Sequence, residues 1–292
     1  MNFKPLINKL GLGLLTLSKS WFQIKDVEKA ERRGIRLANI LYYLDKKHRK
    51  QTHANLAIAF PELSDSERYT LARANYRHIG CLVADFMGSP AFSDEEIAMP
   101  EEGSEHIKKL LAEKNGILLI TAHLGNWERL GAWAPVHGVR VSGVARKAND
   151  DQITQEVTKI RGTRGLNILP SGSAARDILT RLKGGEIIAI LPDQNNDEAY
   201  IPFFGKIAGT VIGPARIHLK TGAPILPMCM LRTSPGKYKV VYREPLVAHE
   251  GETAEELMTR VNAEIEAMIR LAPEQYLWMH DRWRNARKKG LL

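Results

Sequence analysis

From about residue 100 onward, short apolar runs alternate with stretches of helical period, and this alternation limits what the chain can fold into. The runs are "GILLITA" (116–122), "VRVSGVAR" (139–146), "LNILP" (166–170), "EIIAIL" (186–191), "APILPMCMLR" (223–232) and "YKVVYREPLV" (238–247). Each is bounded by Gly, Pro or polar clusters. Between them lie segments such as "DDQITQEVTKIRGTRG" (150–165) and "SAARDILTRLKGG" (173–185), whose apolar residues recur at three- and four-residue spacing. Strands alternating with helices predict an α/β fold, a mixed and largely parallel sheet covered by helices.

The first third reads differently. "VEKAERRGIRLANILYYL" (27–44) and "SDSERYTLARANYRHIGCLVADFM" (64–87) are helical in period. Between them Pro61 breaks the chain, Ser64 is placed to cap the next helix, and Glu67 three residues on completes a capping box. No fixed-period repeat, low-complexity tract or long linker divides residues 26–292, which are expected to form one α/β domain with a helical N-terminal part.

Residues 1–25 stand apart. "FKPLINKLGLGLLTLSKSWFQI" has a basic start and an apolar centre, but no A-x-A-like cleavage site follows, which argues against a signal peptide. The uncharged run between Lys9 and Lys19 is too short for a hydrocarbon core that needs about 20 apolar residues. The segment therefore reads as a membrane-interface helix, with Trp21 and Phe22 at headgroup depth, or as a membrane-anchoring one that spans at a tilt with snorkelling lysines; an amphipathic helix docked on the core is the plainer alternative. The formal charge of +9, with Lys and Arg crowding both ends, suits an anionic surface or a phosphorylated substrate. No nucleic-acid recognition motif accompanies it. Cys81 and Cys229 are far apart and outside any CxxC pattern, so neither a disulfide framework nor a zinc site is expected, and no other metal-ligand cluster is visible.

Chemistry concentrates in "HLGNWE" (123–128). His123 closes an apolar run and so stands at the carboxyl end of a strand, where open α/β sheets bind ligands. Asn126 is placed to cap the helix that follows. Glu128 lies five residues beyond His123, a spacing that turns a helix by about 500° and is not same-face. The two can meet only if His123 lies in the turn and Glu128 reaches back. A carboxylate on one imidazole nitrogen would fix the tautomer and let the other take a proton from a hydroxyl. There is no G-x-S-x-G elbow and no Cys nearby, so an enzyme nucleophile is not implied.

Several segments in order give this motif a context: "HANLAIAFPELSDSER" (53–68), "HLGNWE", "VARKAND" with Arg146, "RGTRGLNIL" with Arg161 and Arg164, "LPDQNN" with Asp193 and Gln194, "IPFFGKIAGTVIGPARIHLKTGAPILPM" (201–228) and "APEQYLWMHDRW" (272–283). From about residue 35 to 286 the chain resembles the lipid A late acyltransferases, which include the phosphatidylinositol mannoside acyltransferases. The resemblance implies a glycerol-phosphate-acyltransferase-like fold. It also implies transfer of a fatty acyl chain from a thioester, on acyl carrier protein or coenzyme A, to a hydroxyl of a phosphorylated glycolipid at the cytoplasmic face of the bacterial inner membrane. His123 would be the base and Glu128 its support, in the family's H-x4-E pattern. Arg146 and Arg164 would bind acceptor phosphate, with Asp193 as a supporting substrate-site residue that positions His123 or an arginine. Backbone amides around Gly125 and Asn126 are candidate oxyanion donors, and no cofactor or metal is required. Phe203 and Phe204 either wall an acyl channel or belong to the core. Another lipid acceptor with acyl coenzyme A as donor, or a thioester hydrolase, is the competing reading.

Overall fold

The computed structural model describes residues 20–88, 99–136, 138–145, 151–163, 166–170 and 175–292. Most of the membrane-interface segment expected at 1–25, and both Arg146 and Arg164, lie outside these residues.

Among the described residues the expected alternation gives a seven-stranded mixed sheet. β2 (Ile117–Ile120), β3 (Val141–Ala145), β4 (Asn167–Pro170), β5 (Ile187–Ile190) and β8 (Ile225–Ser234) run parallel in the spatial order β8-β2-β5-β3-β4. β9 (Lys237–Tyr242) pairs antiparallel with β8, and β1 (Glu101–Glu102) runs parallel to β9 at the edge. The central strands β2 and β5 are apolar at every position because both of their faces are covered, as parallel sheets require.

Side chains of alternate residues separate into two cores, following the period of two along a strand. Leu118, Ile120, Ile188 and Ile225 point to one face and pack with helices α2 (Lys46–Ala59), α3 (Asp65–Gly88) and α9 (Ala254–Leu271). Ile117, Leu119, Ile187 and Leu226 point to the other, toward α4 (Ser104–Ala112) and α5 (Trp127–Val136). Three further helices, α6 (Asp151–Thr163), α7 (Ala175–Lys183) and α8 (Gly213–Thr221), complete the cover, with a short α10 (Arg284–Lys288) near the end of the chain. The Ser64–Glu67 capping box forms as the spacing predicts, the Glu67 amide donating to Ser64 Oγ at 3.3 Å and the Ser64 amide to Glu67 Oε2 at 2.7 Å.

Helix α1 (Val27–Leu44) crosses α3 at very close range. A Cβ on Gly34 would lie 2.1 Å from the carbonyl oxygen of Gly80, and one on Gly80 2.4 Å from that of Gly34, so only glycine fits at either place. Ala30, Gly34, Ala38 and Tyr42 form the buried stripe of α1. Leu37, Ile40, Leu41 and Leu44, at i, i+3, i+4 and i+7, form a second apolar stripe that faces outward, Leu44 being 71% exposed and Ile40 57%.

The segment "IPFFGKIAGT", read only as part of a family pattern, folds as an antiparallel hairpin of β6 (Ala199–Phe203) and β7 (Lys206–Thr210). Phe203 and Phe204 belong to the core: Phe203 stacks near Trp283 and Phe204 near Phe60 and Trp278. Both cysteines are buried and free. Among the described residues no helix is long and apolar enough to cross a membrane.

Candidate active site

β2 and β5 are neighbours with Ile120 opposite Ile190. Three residues beyond each strand end stand His123 and Asp193, so the register of the sheet brings them together. Asp193 Oδ1 lies 2.9 Å from His123 Nδ1, and Asp193 Oδ2 accepts the backbone N–H of His123 at 2.9 Å. Both carboxylate oxygens are thus spent on one residue. Asp193 is buried, its side chain 2% exposed, whereas the imidazole keeps 20%. An ionised carboxylate only accepts, so Nδ1 carries the proton and Nε2 of the neutral ring presents its lone pair.

The pair polarises itself. Burial works to lower the His123 pKa, but the Asp193 carboxylate, by charge and by hydrogen bond, outweighs it with help from the Glu128 charge, and the pKa is raised. Burial would push Asp193 up, yet the interactions with His123 hold it below the usual carboxylate range.

This geometry revises the expectation for Glu128. Its carboxylate does not hold the imidazole but faces Arg161, which donates from Nε at 2.9 Å and from Nη2 at 2.6 Å. The reason is the helix: from the first turn of α5 the side chain points toward α6, where Arg161 sits one residue past Ile160. Glu128 acts on His123 through its field. Asp193, expected as a supporting residue that positions His123 or an arginine, is buried behind the imidazole and hydrogen-bonds to His123.

The turn between β2 and α5 is fixed by several elements. Gly125 has φ +61°, and a Cβ there would lie 2.0 Å from the Met230 carbonyl oxygen, so the turn requires glycine. The Gly125 amide donates to Gln275 O at 3.0 Å and the Asn126 amide to Met230 O at 2.8 Å. These two N–H groups are therefore committed and cannot serve as the expected oxyanion donors. Asn126 does cap α5, its Oδ1 accepting from the Arg129 amide at 3.1 Å. Its Nδ2 donates to Asp85 Oδ2 at 3.0 Å, while Arg129 Nε donates to Asp85 Oδ1 at 2.6 Å. This buried ion pair ties the start of α5 to α3.

Sequence reasoning missed the structural task of the C-terminal segment. The Leu277 amide donates to the His123 carbonyl at 2.9 Å, and His280 Nε2 accepts from the Asn195 amide at 3.0 Å. Burial lowers the His280 pKa, keeping it a neutral acceptor there. Two buried asparagines hold this segment in turn: Asn55 donates to the carbonyls of Trp278 and His280, and Asn75 to those of Glu274 and Tyr276. The motifs "HANLAIAF" and "APEQYLWMHDRW" are thus one clamp beneath the turn that carries His123. A buried Asn in an apolar helix stripe was the signal available in the sequence.

His123, Trp127, Glu128, Arg161 and Gln194 border a cavity of about 610 Å³. Its inner wall is apolar: Leu119, Leu130, Trp133, Val141, Leu166 and Ile168 contribute. A polar rim bearing a basic nitrogen thus opens onto a hydrocarbon-like interior, in the size range of roughly 300–1,000 Å³ usual for ligand sites. Among the described residues no group of His, Cys, Asp or Glu could hold a metal ion.

The model of one protein family, described as bacterial lipid A biosynthesis acyltransferase, matches residues 24–285. The chain belongs to this family. It is 28% identical over 261 residues to the lipid A biosynthesis lauroyltransferase of Escherichia coli K12, covering 87% of this chain and 84% of that protein. It is 23% identical to the lipid A biosynthesis palmitoleoyltransferase of the same organism, with 86% and 83% covered. To the phosphatidylinositol mannoside acyltransferase of Mycobacterium tuberculosis H37Rv it is 26% identical over 131 residues, 43% of this chain and 42% of that one. The protein is accordingly an acyltransferase of the lipid A biosynthesis family.

Proposed function

We propose that this acyltransferase moves a fatty acyl chain from a thioester, carried on acyl carrier protein or coenzyme A, to a hydroxyl of a phosphorylated glycolipid such as a lipid A precursor. The observation that carries the reading is His123 Nε2, backed by buried Asp193, at the mouth of an apolar cavity of about 610 Å³. The acyl chain lies along Leu119, Trp133 and Val141, and the thioester carbonyl reaches the rim. His123 Nε2 takes the proton of the acceptor hydroxyl as its oxygen bonds to the carbonyl carbon. The tetrahedral intermediate then expels the thiolate, which receives that proton from the imidazolium. No covalent acyl-enzyme is needed.

Developing negative charge on the carbonyl oxygen calls for donors. With the Gly125 and Asn126 amides committed, the first-turn amides of Trp127 and Glu128 take their place, at the positive end of α5. Arg146 and Arg164 remain the candidates for acceptor phosphate, since guanidinium presents a fork suited to it.

A working position at the cytoplasmic face of the bacterial inner membrane is part of the same reading. It is supported by the outward stripe of Leu37, Ile40, Leu41 and Leu44 on α1, flanked by exposed Arg32, Arg36, Lys46 and Lys47. Such a face suits a helix lying in an anionic headgroup layer.

The test is mass spectrometry of lipid products after incubating the protein with a panel of acyl thioesters and phosphorylated glycolipids. Transfer by the wild type and none by a folded His123→Ala variant is the expected result. Full activity in that variant would overturn the mechanism.

A further inference from the structure

We propose that Gln194 covers the basic nitrogen of His123 while no acceptor is bound, and in doing so keeps the acyl group from passing to water. The inference rests on the transferase reading above and adds a control on it.

The carboxamide of Gln194 reaches His123 Nε2 at 3.3 Å. Nδ1 is committed to Asp193, so Nε2 is the lone pair on which base catalysis depends. Only the NH2 side of the amide can face a lone pair, hence Gln194 donates to it. When the ring is protonated, the amide rotates and its oxygen accepts from Nε2–H. The side chain therefore satisfies the same nitrogen in both protonation states.

Gln194 is also well placed to leave. It lies in the loop after β5, next to Asp193, and borders the cavity. Its neighbours are fixed: Asp193 by His123, and Asn195 by His280 and by the Asn285 amide, which donates to Asn195 Oδ1 at 3.0 Å. The backbone is thus anchored on both sides, and only the Gln194 side chain needs to turn.

Displacing the amide costs a hydrogen bond. A glycolipid can meet that cost from binding energy gained far from the reacting hydroxyl, whereas a single water has no remote contacts. Water activation would otherwise run by the same chemistry. Water oxygen would bond to the carbonyl carbon, the C–S bond would break, and the water proton would pass through Nε2 to the thiolate, leaving a fatty acid and a thiol. Gln194 thus biases the acyl group toward alcohols.

The experiment follows thiol release from lauroyl-acyl carrier protein and lauroyl-coenzyme A without acceptor, for wild type, Gln194→Ala, Gln194→Asn, His123→Ala and the His123→Ala/Gln194→Ala double variant. Asparagine keeps the amide but is one methylene short, so it preserves polarity if alanine disturbs folding. Freeing the lone pair is expected to raise hydrolysis roughly three- to tenfold in both single Gln194 variants, the scale of one net hydrogen bond. The gain should vanish in the double variant. With a lipid A precursor added, the share of acyl groups lost to water should rise as well. Folded Gln194 variants that hydrolyse no faster than wild type would overturn the inference while leaving the transferase reading intact. Transfer to the lipid A precursor that survives His123→Ala, or no transfer to any acceptor by wild type, would sink the transferase reading itself.

Discussion

Asp193 and His123 are 70 residues apart in sequence and 2.9 Å apart at Oδ1 and Nδ1, because β2 and β5 end in register side by side. The carboxylate raises the His123 pKa above its ordinary value of about 6.5. As the proposed base, His123 works as the neutral ring, so kcat/KM should increase with pH through a midpoint above 6.5. Asp193→Asn removes the charge that favours the imidazolium, and burial then lowers the midpoint. Its amide can also donate to Nδ1, which drives the ring proton to Nε2 and silences the base. We expect a loss of about 10²- to 10⁴-fold in kcat/KM with an acid limb displaced to lower pH. A pH profile of thioester-dependent transfer measures both; an unmoved limb would mean that Asp193 does not set the base.

Glu128 and Arg161 are bonded through both carboxylate oxygens, with side chains 12% and 23% exposed. Removing one partner strands the other, so Glu128→Gln and Arg161→Gln should each lower thermal stability and activity. The double variant should be less damaged than the sum, with a coupling of about 1 kcal/mol or more. Urea unfolding of the four proteins gives that number. Additive losses would show that the pair is not the unit the geometry describes.

The fate of Glu128 illustrates what was legible in the sequence. Apolar runs bounded by breakers located the six strands of β2–β5 and β8–β9, most clearly where burial on both faces leaves a continuous hydrophobic signature, as in β2 and the first seven residues of β8. His123 was legible as a residue at a strand end. Its partner was half legible: nearness along the chain favoured Glu128 and left Asp193 between positioning His123 and an arginine, because the pairing depends on which strand lies beside β2, a nonlocal property with no local pattern. The β6–β7 hairpin was hidden for a related reason. Its turn is Phe204-Gly205, with Phe204 at φ +50°, rather than an Asn-Gly or Asp-Gly signal. The partners of Asn55, Asn75 and His280 lie more than 80 residues away, so a single sequence can signal that an Asn in an apolar helix stripe needs a partner but not which one it takes.

Gly143 in β3 borders the apolar part of the cavity, and a Cβ there would meet the Leu166 side chain at 3.3 Å. Gly143→Val suits a strand but forces Leu166 to move and narrows the space available to an acyl chain. The variant is expected to turn from longer to shorter acyl donors, with kcat/KM for a chain that still fits held within a few-fold. Competition among thioesters of different length, read by mass spectrometry of the lipid product, checks this. An unchanged chain-length profile would place the acyl chain elsewhere.

His78 in α3 donates from Nε2 to the Gly125 carbonyl at 3.1 Å, supporting the turn that carries His123. It is buried, and burial lowers its pKa to about 4, the bond to Gly125 opposing this and the charge of Arg232 adding to it. In the unfolded chain the group titrates near 6.5. Between these values the unfolded state binds the proton and the folded state does not, so stability falls as pH drops from 6.5 toward 4 and levels off below. The group's share is about 3 kcal/mol across that window, the linkage value of the shift. His78→Gln keeps a donor without titrating there. Its stability measured by urea unfolding should therefore decline less steeply than wild type from pH 6.5 to 4, and the two slopes should agree above pH 7. Parallel curves throughout the window would show that His78 is not held neutral in the folded protein.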